Sequence, residues 1–175
     1  MARIPYARLD DDAVRPLAER IAAERGSVLH LYQMLLHSPP VAQGWLGYLT
    51  AIRQQSSLPG ALRELVIMRV ALVNGAPYEA DQHAPIARQE GVSQAKLDAL
   101  ESWEASALFD ATERAVLGYT DAMTRHVHVD DAVFAAVAQC FAPPLLVELT
   151  ATIAAYNMVS RFLEALQIHS DDARP

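Results

Sequence analysis

The chain has 175 residues, of which 52% are hydrophobic and 20% charged, with a formal net charge of −7. That length carries a hydrophobic core without disulfides or metals and makes one domain the default, while the apolar content excludes disorder. The acidic balance comes with no stripe of clustered Lys and Arg, which argues against a nucleic-acid-binding role. The single cysteine, Cys140, can form neither an internal disulfide nor a CxxC pair, as expected of a reducing, cytoplasmic compartment.

The opening residues, MARIPYARLDDDAV, carry charges where a secretory signal needs an apolar core. No uninterrupted apolar run reaches the roughly 20 residues needed to cross a bilayer. Asp10 to Asp12 can cap a first helix, with Pro16 near its start and Gly26 as its stop. VLHLYQMLLH then reads as a short apolar helix ended by Ser38-Pro39-Pro40, and Pro40 suits the first turn of a helix through WLGYLTAIRQQ. Ser56 to Gly60 is a turn.

The run ALRELVIMRVALV, residues 61–73, has the Val and Ile content of a buried strand. Its length and helical surroundings favour a helix, and a helix apolar nearly all round is a buried one. Pro77 opens the next helix, Pro85 should bend it and Gly91 closes it. Ser93 caps another helix. Asp110-Ala-Thr-Glu113 has the form of a capping box in front of AVLGYTDAMTR. VHVDDAVFAAVAQC is a short helix after a turn, and Pro143-Pro144 leads the long apolar helix LLVELTATIAAYNMVSRFLEAL. The expected fold is all-α, with residues 1–10 and 169–175 frayed.

Several residues in this pattern bear chemistry. Glu64 has apolar helical neighbours at positions 61, 67, 68 and 71. A carboxylate withdrawn from water needs a partner, so Glu64 either pairs with Arg63, Arg69 or a neighbouring chain, or serves a proton relay. Glu79 and His83 are four apart and share a helix face. A carboxylate beside an imidazole orients it and raises its basicity, as a general base requires, although the same spacing also describes an ordinary surface contact. Tyr78 adds a hydroxyl able to donate to a developing oxyanion.

His83 and Glu79 could also start a metal site completed by His126 or His128, but no tight ligand signature such as HExxH accompanies them, and no metal or cofactor is expected. Tyr156, Asn157 and Arg161 stand on or near one face of the last long helix. Arg161 can clamp a substrate carboxylate, or pair with Glu148 or Glu164, or meet another subunit. His30 and His37 share a face of one short helix, as core or interface residues or, for His37, as a substrate contact. Cys140 reads as a buried small hydrophobe.

The segment LPGALRELVIMRVALVNGAPYEADQHAPIARQEGVSQAKLDAL resembles the carboxymuconolactone decarboxylase and alkylhydroperoxidase D (AhpD-like) superfamily. The peroxidase branch carries Glu, eleven residues, Cys-x-His-Cys, three residues, His. Here Glu64 matches the glutamate, Ala76 and Glu79 fall at the two cysteines, Tyr78 falls at the inner histidine, and His83 matches the final one. A dithiol peroxidase needs one thiolate to attack peroxide and a second thiol to resolve the product, and this site offers neither. The stretches LLHSPPVAQGWLGYL, FDATERAVLGYTDAMTRHVHVDDAVFAAV and LLVELTATIAAYNMVSRFLEAL extend the resemblance over about residues 28 to 168, toward Cys-less members with a Tyr-Glu-x-x-x-His segment.

The resemblance implies a single-domain AhpD-like helical bundle and a homo-oligomer, often a trimer or hexamer, with sites near subunit contacts. It also implies acid–base chemistry on a small carboxylated lactone or carbonyl compound. His83 would move the proton, Glu79 orient it, Tyr78 bond the oxyanion and Glu64 hold or relay a proton. Arg161, with Asn157, Tyr156 and His37, would hold the substrate. A non-catalytic small-molecule binder or assembly protein that kept the fold is the alternative.

Overall fold

The computed structural model describes residues 1–174, and every regular element among them is helical. The α-helices are α1 (Arg15–Arg25), α2 (His30–Leu35), α3 (Pro39–Thr50), α4 (Gly60–Asn74), α5 (Pro77–Gln89), α6 (Gln94–Ala99), α7 (Ala111–His126), α8 (Asp131–Ala138) and α9 (Pro143–Leu166). A π-helical turn, Ala51–Gln55, follows α3, and a 3-10 segment, Leu100–Ala105, follows α6. The chain forms two compact units: residues 1–55 with the chain from 163 onward, and residues 56–162. No helix among the described residues is long and apolar enough to cross a membrane.

In the first unit Pro16 lies in the first turn of α1, and Gly26 ends the helix with φ 83°, a conformation that favours glycine. The aspartates before α1 are not its cap. Asp11 instead closes a turn, accepting from the Ala13 N–H at 2.9 Å, while the N-cap position falls on Val14. Ile21, Leu36, Leu46 and Ile168 are fully buried.

The expectation of frayed ends does not hold over the described residues. The Arg3 N–H donates to the Leu166 carbonyl at 2.9 Å, and the Tyr6 hydroxyl donates to Asp172 Oδ2 at 2.8 Å. Arg174 reaches the Val28 carbonyl at 2.7 Å, and His30 Nε2 donates to the Asp172 carbonyl at 3.0 Å. The two polar end segments have no apolar period for a sequence reading to detect, yet each supplies hydrogen-bond partners for the other.

The second unit is built on α4. Leu65, Val66, Ile67, Val70 and Ala71 lie in an unbroken buried stretch, residues 63–71, so that part of the helix is covered on all sides and its strand-like composition is overridden by packing. Leu65 and Met68 enter a cluster with Ala87, Val92, Leu97, Leu100, Trp103, Phe109 and Leu117, contributed by α5, the α6 region and α7. Arg69 of α4 is polar and buried. It meets Asp121 through two bonds of 2.6 Å and donates to the Leu100 carbonyl at 2.8 Å, while Trp103 Nε1 donates to the same aspartate. A buried guanidinium is tolerable because its donors are used.

Gly75, with φ 62°, turns the chain from α4 into α5, and Pro77 starts α5. α5 continues through Pro85 to Gln89. Ser93 caps α6, accepting from the Lys96 N–H, and Asp110 and Glu113 make the expected reciprocal box at the start of α7. The C-terminus of α7 ends without a glycine. The His128 N–H bonds the His126 carbonyl at 2.6 Å around Val127, which has φ 63° and ψ −46°. This is a γ-turn of the positive-φ type, rare and strained for a β-branched residue.

Cys140 is exposed, contrary to the reading of a buried hydrophobe. It lies past the end of α8, whose one buried residue is Val137, so the apolar character of VFAAVAQC does not correspond to a core face.

Candidate functional site

The polar residues singled out on α4 and α5 are brought together: Glu64 has the expected Arg63 as one partner, but His83 pairs with Glu64 rather than with Glu79. Glu64 is completely buried in α4, and His83 lies on α5. His83 Nδ1 donates to Glu64 Oε2 at 2.7 Å, so Glu64 and not Glu79 orients the imidazole. Glu79 and His83 are neighbours within one helix, whereas the partner of His83 comes from the neighbouring helix across the Gly75 turn. With Nδ1 committed to Glu64, Nε2 is the ring nitrogen whose lone pair can exchange a proton with a substrate. The His83 side chain keeps 10% of its surface and Glu64 none, so the imidazole lies outward of its carboxylate.

Glu64 has a second partner. Arg63 Nε donates to its other oxygen, Oε1, at 3.2 Å, and Arg63 Nη2 donates to Glu90 Oε1 at 3.1 Å. A carboxylate withdrawn from water is thus bonded through both oxygens, the condition under which burial of its charge is tolerable.

Glu79 is buried in the first turn of α5 and turns toward α9, where the Ser160 hydroxyl bonds its Oε2 at 3.0 Å. Tyr78, beside it, is buried as well. Tyr156 of α9 packs its ring edge-on to His83, with centroids 5.0 Å apart and planes at 90°. Glu64, Glu79, His83, Tyr156 and Ser160 therefore belong to one buried assembly of α4, α5 and α9.

Asn157 is a hub beside it. Its Nδ2 donates to Thr124 Oγ1 at 3.0 Å, and its Oδ1 accepts from Asn74 Nδ2 at 3.2 Å and from Arg161 at 2.6 Å. Arg161 also donates to the Asn157 carbonyl, so its guanidinium is held along its own helix. Glu148, considered as its partner, accepts the Ser57 N–H at 2.8 Å. His37 lies in the first unit, is exposed, and donates to the Pro5 carbonyl at 2.7 Å. His126 and His128 are exposed near the end of α7, and no group of three or more His, Cys, Asp or Glu among the described residues is arranged to hold a metal ion.

Sequence reasoning missed Ser160, Glu90 and Asn74. Ser160 carried one available signal, a small hydroxyl four residues after Tyr156 in an apolar helix. Glu90 carried none, since it reads as one of many surface carboxylates.

Comparison with known proteins bears on the family and the fold. The carboxymuconolactone decarboxylase family profile matches residues 39–122, which include Glu64, Tyr78, Glu79 and His83 but not the α9 residues. The protein YnjA of Escherichia coli (strain K12) is 33% identical over 126 residues, 71% of this chain. The match spans 66% of that relative, so the chain corresponds to just under two thirds of its length.

Among solved structures, the alkylhydroperoxidase AhpD core of a peroxidase-related protein from Ralstonia eutropha JMP134 superposes with a TM-score of 0.82 at 20% identity, covering 98% of this chain and 93% of that one. A variant of the debrominase Bmp8 in complex with 2,3,4-tribromopyrrole superposes with a TM-score of 0.79 at 22% identity, covering 94% and 89%. At such identities these two likenesses speak for the fold alone. The family profile over residues 39–122, together with the AhpD-like fold of these structures, supports placing the chain in the carboxymuconolactone decarboxylase and alkylhydroperoxidase D-like superfamily.

Proposed function

We propose that this protein is a cofactor-independent acid–base enzyme that moves a proton to or from carbon in a small carboxylated lactone or carbonyl compound. The observation that carries the proposal is the 2.7 Å bond from His83 Nδ1 to a fully buried carboxylate. Such a bond fixes the tautomer with its basic lone pair on Nε2, and stabilises the imidazolium once a proton arrives. In a decarboxylation the carbon–carbon bond breaks, carbon dioxide leaves, and the electron pair stays on carbon as an enolate. The His83 imidazolium then protonates that carbon and is recharged from solvent. Isomerisation or dehydration would use the same base.

Glu64 is the positioning carboxylate in this reading. Tyr78 is the hydroxyl for the oxyanion, and Arg161, held by Asn157, is the anchor for a substrate carboxylate. Thiol peroxidase chemistry has no place in it, because Ala76 and Glu79 occupy the positions of the two cysteines. The ligand of the debrominase, a small planar ring, is in the size class proposed. An exposed free thiol at Cys140 suits the cytoplasm. By the family resemblance the protein self-associates as a trimer or hexamer.

A second reading, a non-catalytic binder or assembly protein, draws on the bond between Glu79 and Ser160, which places a carboxylate at a former thiol position in a buried hydrogen bond. The two readings separate by NMR in deuterated water with carboxylated lactones, β-keto acids and enolisable ketones. Carbon-bound deuterium incorporation or loss of carbon dioxide that disappears in His83→Ala supports the enzyme. Exchange that persists undiminished in that variant sinks the assignment of the base.

A further inference from the structure

We propose that Glu90, a partly exposed carboxylate at the C-terminal end of α5, sets the basicity of His83 through Arg63, so that the proton affinity of the site is governed from its surface. This rests on reading His83 as the base of the site.

Four groups form an unbroken chain: Glu90 Oε1 to Arg63 Nη2 at 3.1 Å, Arg63 Nε to Glu64 Oε1 at 3.2 Å, and Glu64 Oε2 to His83 Nδ1 at 2.7 Å. Exposure falls from Glu90 inward to Glu64, while His83 at the far end keeps 10% of its surface. The Glu90 side chain is 41% exposed, Arg63 10% and Glu64 fully buried. Glu90 is therefore the more exposed end of the chain, at a position no local motif marks.

Gly60 supports a specific role for the contact. A Cβ built on Gly60 would overlap both Glu90 Oε2 and its carboxyl carbon, and would lie 3.1 Å from Oε1. Gly60 is the first residue of α4, with no left-handed φ that would require glycine. Glycine is also a poor helix former, so helix propensity does not account for it there. What its missing side chain permits is the close seating of the Glu90 carboxylate over the first turn of α4, beside Arg63.

The electrostatic consequence follows from charge. Glu90, Arg63 and Glu64 together place a net charge of −1 behind the imidazole. Without the charge on Glu90 that sum is zero, because Arg63 then neutralises Glu64. The titratable and charged groups that face His83 are Glu64, and Arg63 behind it, from α4, Tyr156 from α9, and Glu79 one turn away on α5. Of these, Glu64 is linked through Arg63 to the exposed Glu90. Glu90 thus favours the imidazolium, and losing its charge makes His83 a weaker base.

The test needs no substrate. Long-range proton–nitrogen NMR of the His83 ring, assigned by comparison with His83→Gln, gives its titration midpoint in the wild type and in Glu90→Gln. The glutamine keeps an oxygen for Arg63, so a purely structural tether predicts no change. The expected result is a fall in the midpoint of roughly half a unit, below the one to three units that a directly contacting charge gives. Arg63→Gln should move it upward, and Gly60→Ala, which displaces the carboxylate, downward.

An unchanged or raised midpoint in Glu90→Gln overturns the proposal, as does a ring that does not titrate between about pH 4 and 9 in either protein. Should Glu90→Gln not fold, the Gly60→Ala midpoint decides in the same way. Failure of the deuterium-exchange experiment would instead count against the acid–base reading and leave this titration result standing.

Discussion

Glu64 and His83 stand 19 positions apart on different helices, yet a 2.7 Å hydrogen bond joins them inside the second unit. The pair exists because α4 and α5 fold back on each other about Gly75, which puts one carboxylate and one imidazole on facing sides. Arg63 completes the charge balance of the carboxylate. The arrangement has the parts of a general base and its positioning group, and it leads to the first prediction.

Glu64→Gln preserves the shape of the side chain and removes its charge. The proton-transfer rate should fall by about 10²- to 10⁴-fold, and His83→Ala should produce a loss of the same order. The double variant should lose little more, because the two residues act as a unit. Deuterium incorporation rates in the three proteins check this. Glu64→Ala should also cost roughly 3–5 kcal/mol of stability, as expected when one partner of a buried ion pair is removed, measurable by urea denaturation.

Ser160 donates to the buried Glu79 carboxylate. Ser160→Ala removes that donor and should destabilise the protein by about 1–3 kcal/mol. Combining it with Glu79→Ala should cost less than the sum of the two single changes. A double-mutant cycle by urea unfolding measures the difference, and full additivity would show that the bond contributes nothing.

Asp172 gives the terminal segments a pH dependence. Burial raises its carboxyl, but the Tyr6 hydroxyl, the His169 N–H and the amino terminus outweigh that and hold it below the ordinary carboxylate range. A lowered folded-state value means that its stabilisation is fully present above the unfolded value of about 4 and is lost as the pH falls through the folded one. The Tyr6 ring and His169 amide resonances should therefore move toward their disordered positions below about pH 4. Asp172→Asn should show them displaced already at neutral pH.

Val127 occupies a positive-φ γ-turn and is 84% exposed, so its side chain gains little from packing. Val127→Gly removes strain of the order of 1–3 kcal/mol, partly offset by the extra entropy of glycine in the unfolded chain. The net should be a gain of about 1 kcal/mol, which for a chain of this size raises the melting temperature by roughly 2–4 °C. A thermal melt followed by circular dichroism reads it, and a lowered melting temperature would show that the strain is smaller than the entropic cost of glycine.

Much of this protein was determined by local sequence. The prolines at the starts of α1, α3, α5 and α9, the glycines that end α1 and follow α5, and the Asp110–Glu113 box act through backbone geometry and nearest-neighbour hydrogen bonds, so their effects are legible residue by residue. The buried character of α4 was equally plain, because its apolar residues leave no polar face. The spacing from Glu64 to His83 also marked two residues that meet in the structure.

Tertiary structure alone decided the pairing within it. Glu79 lies one helical turn from His83, and local spacing favoured that contact, but α9 offers Glu79 a serine while α4 offers His83 a carboxylate already held by Arg63. The docking of residues 1–10 against 166–174, the exposure of Cys140, and the approach of Glu90 to Gly60 share the same cause. Each depends on which surfaces meet in space, and a hydrogen bond or close contact between residues far apart in the chain leaves no period or motif by which the sequence could announce it.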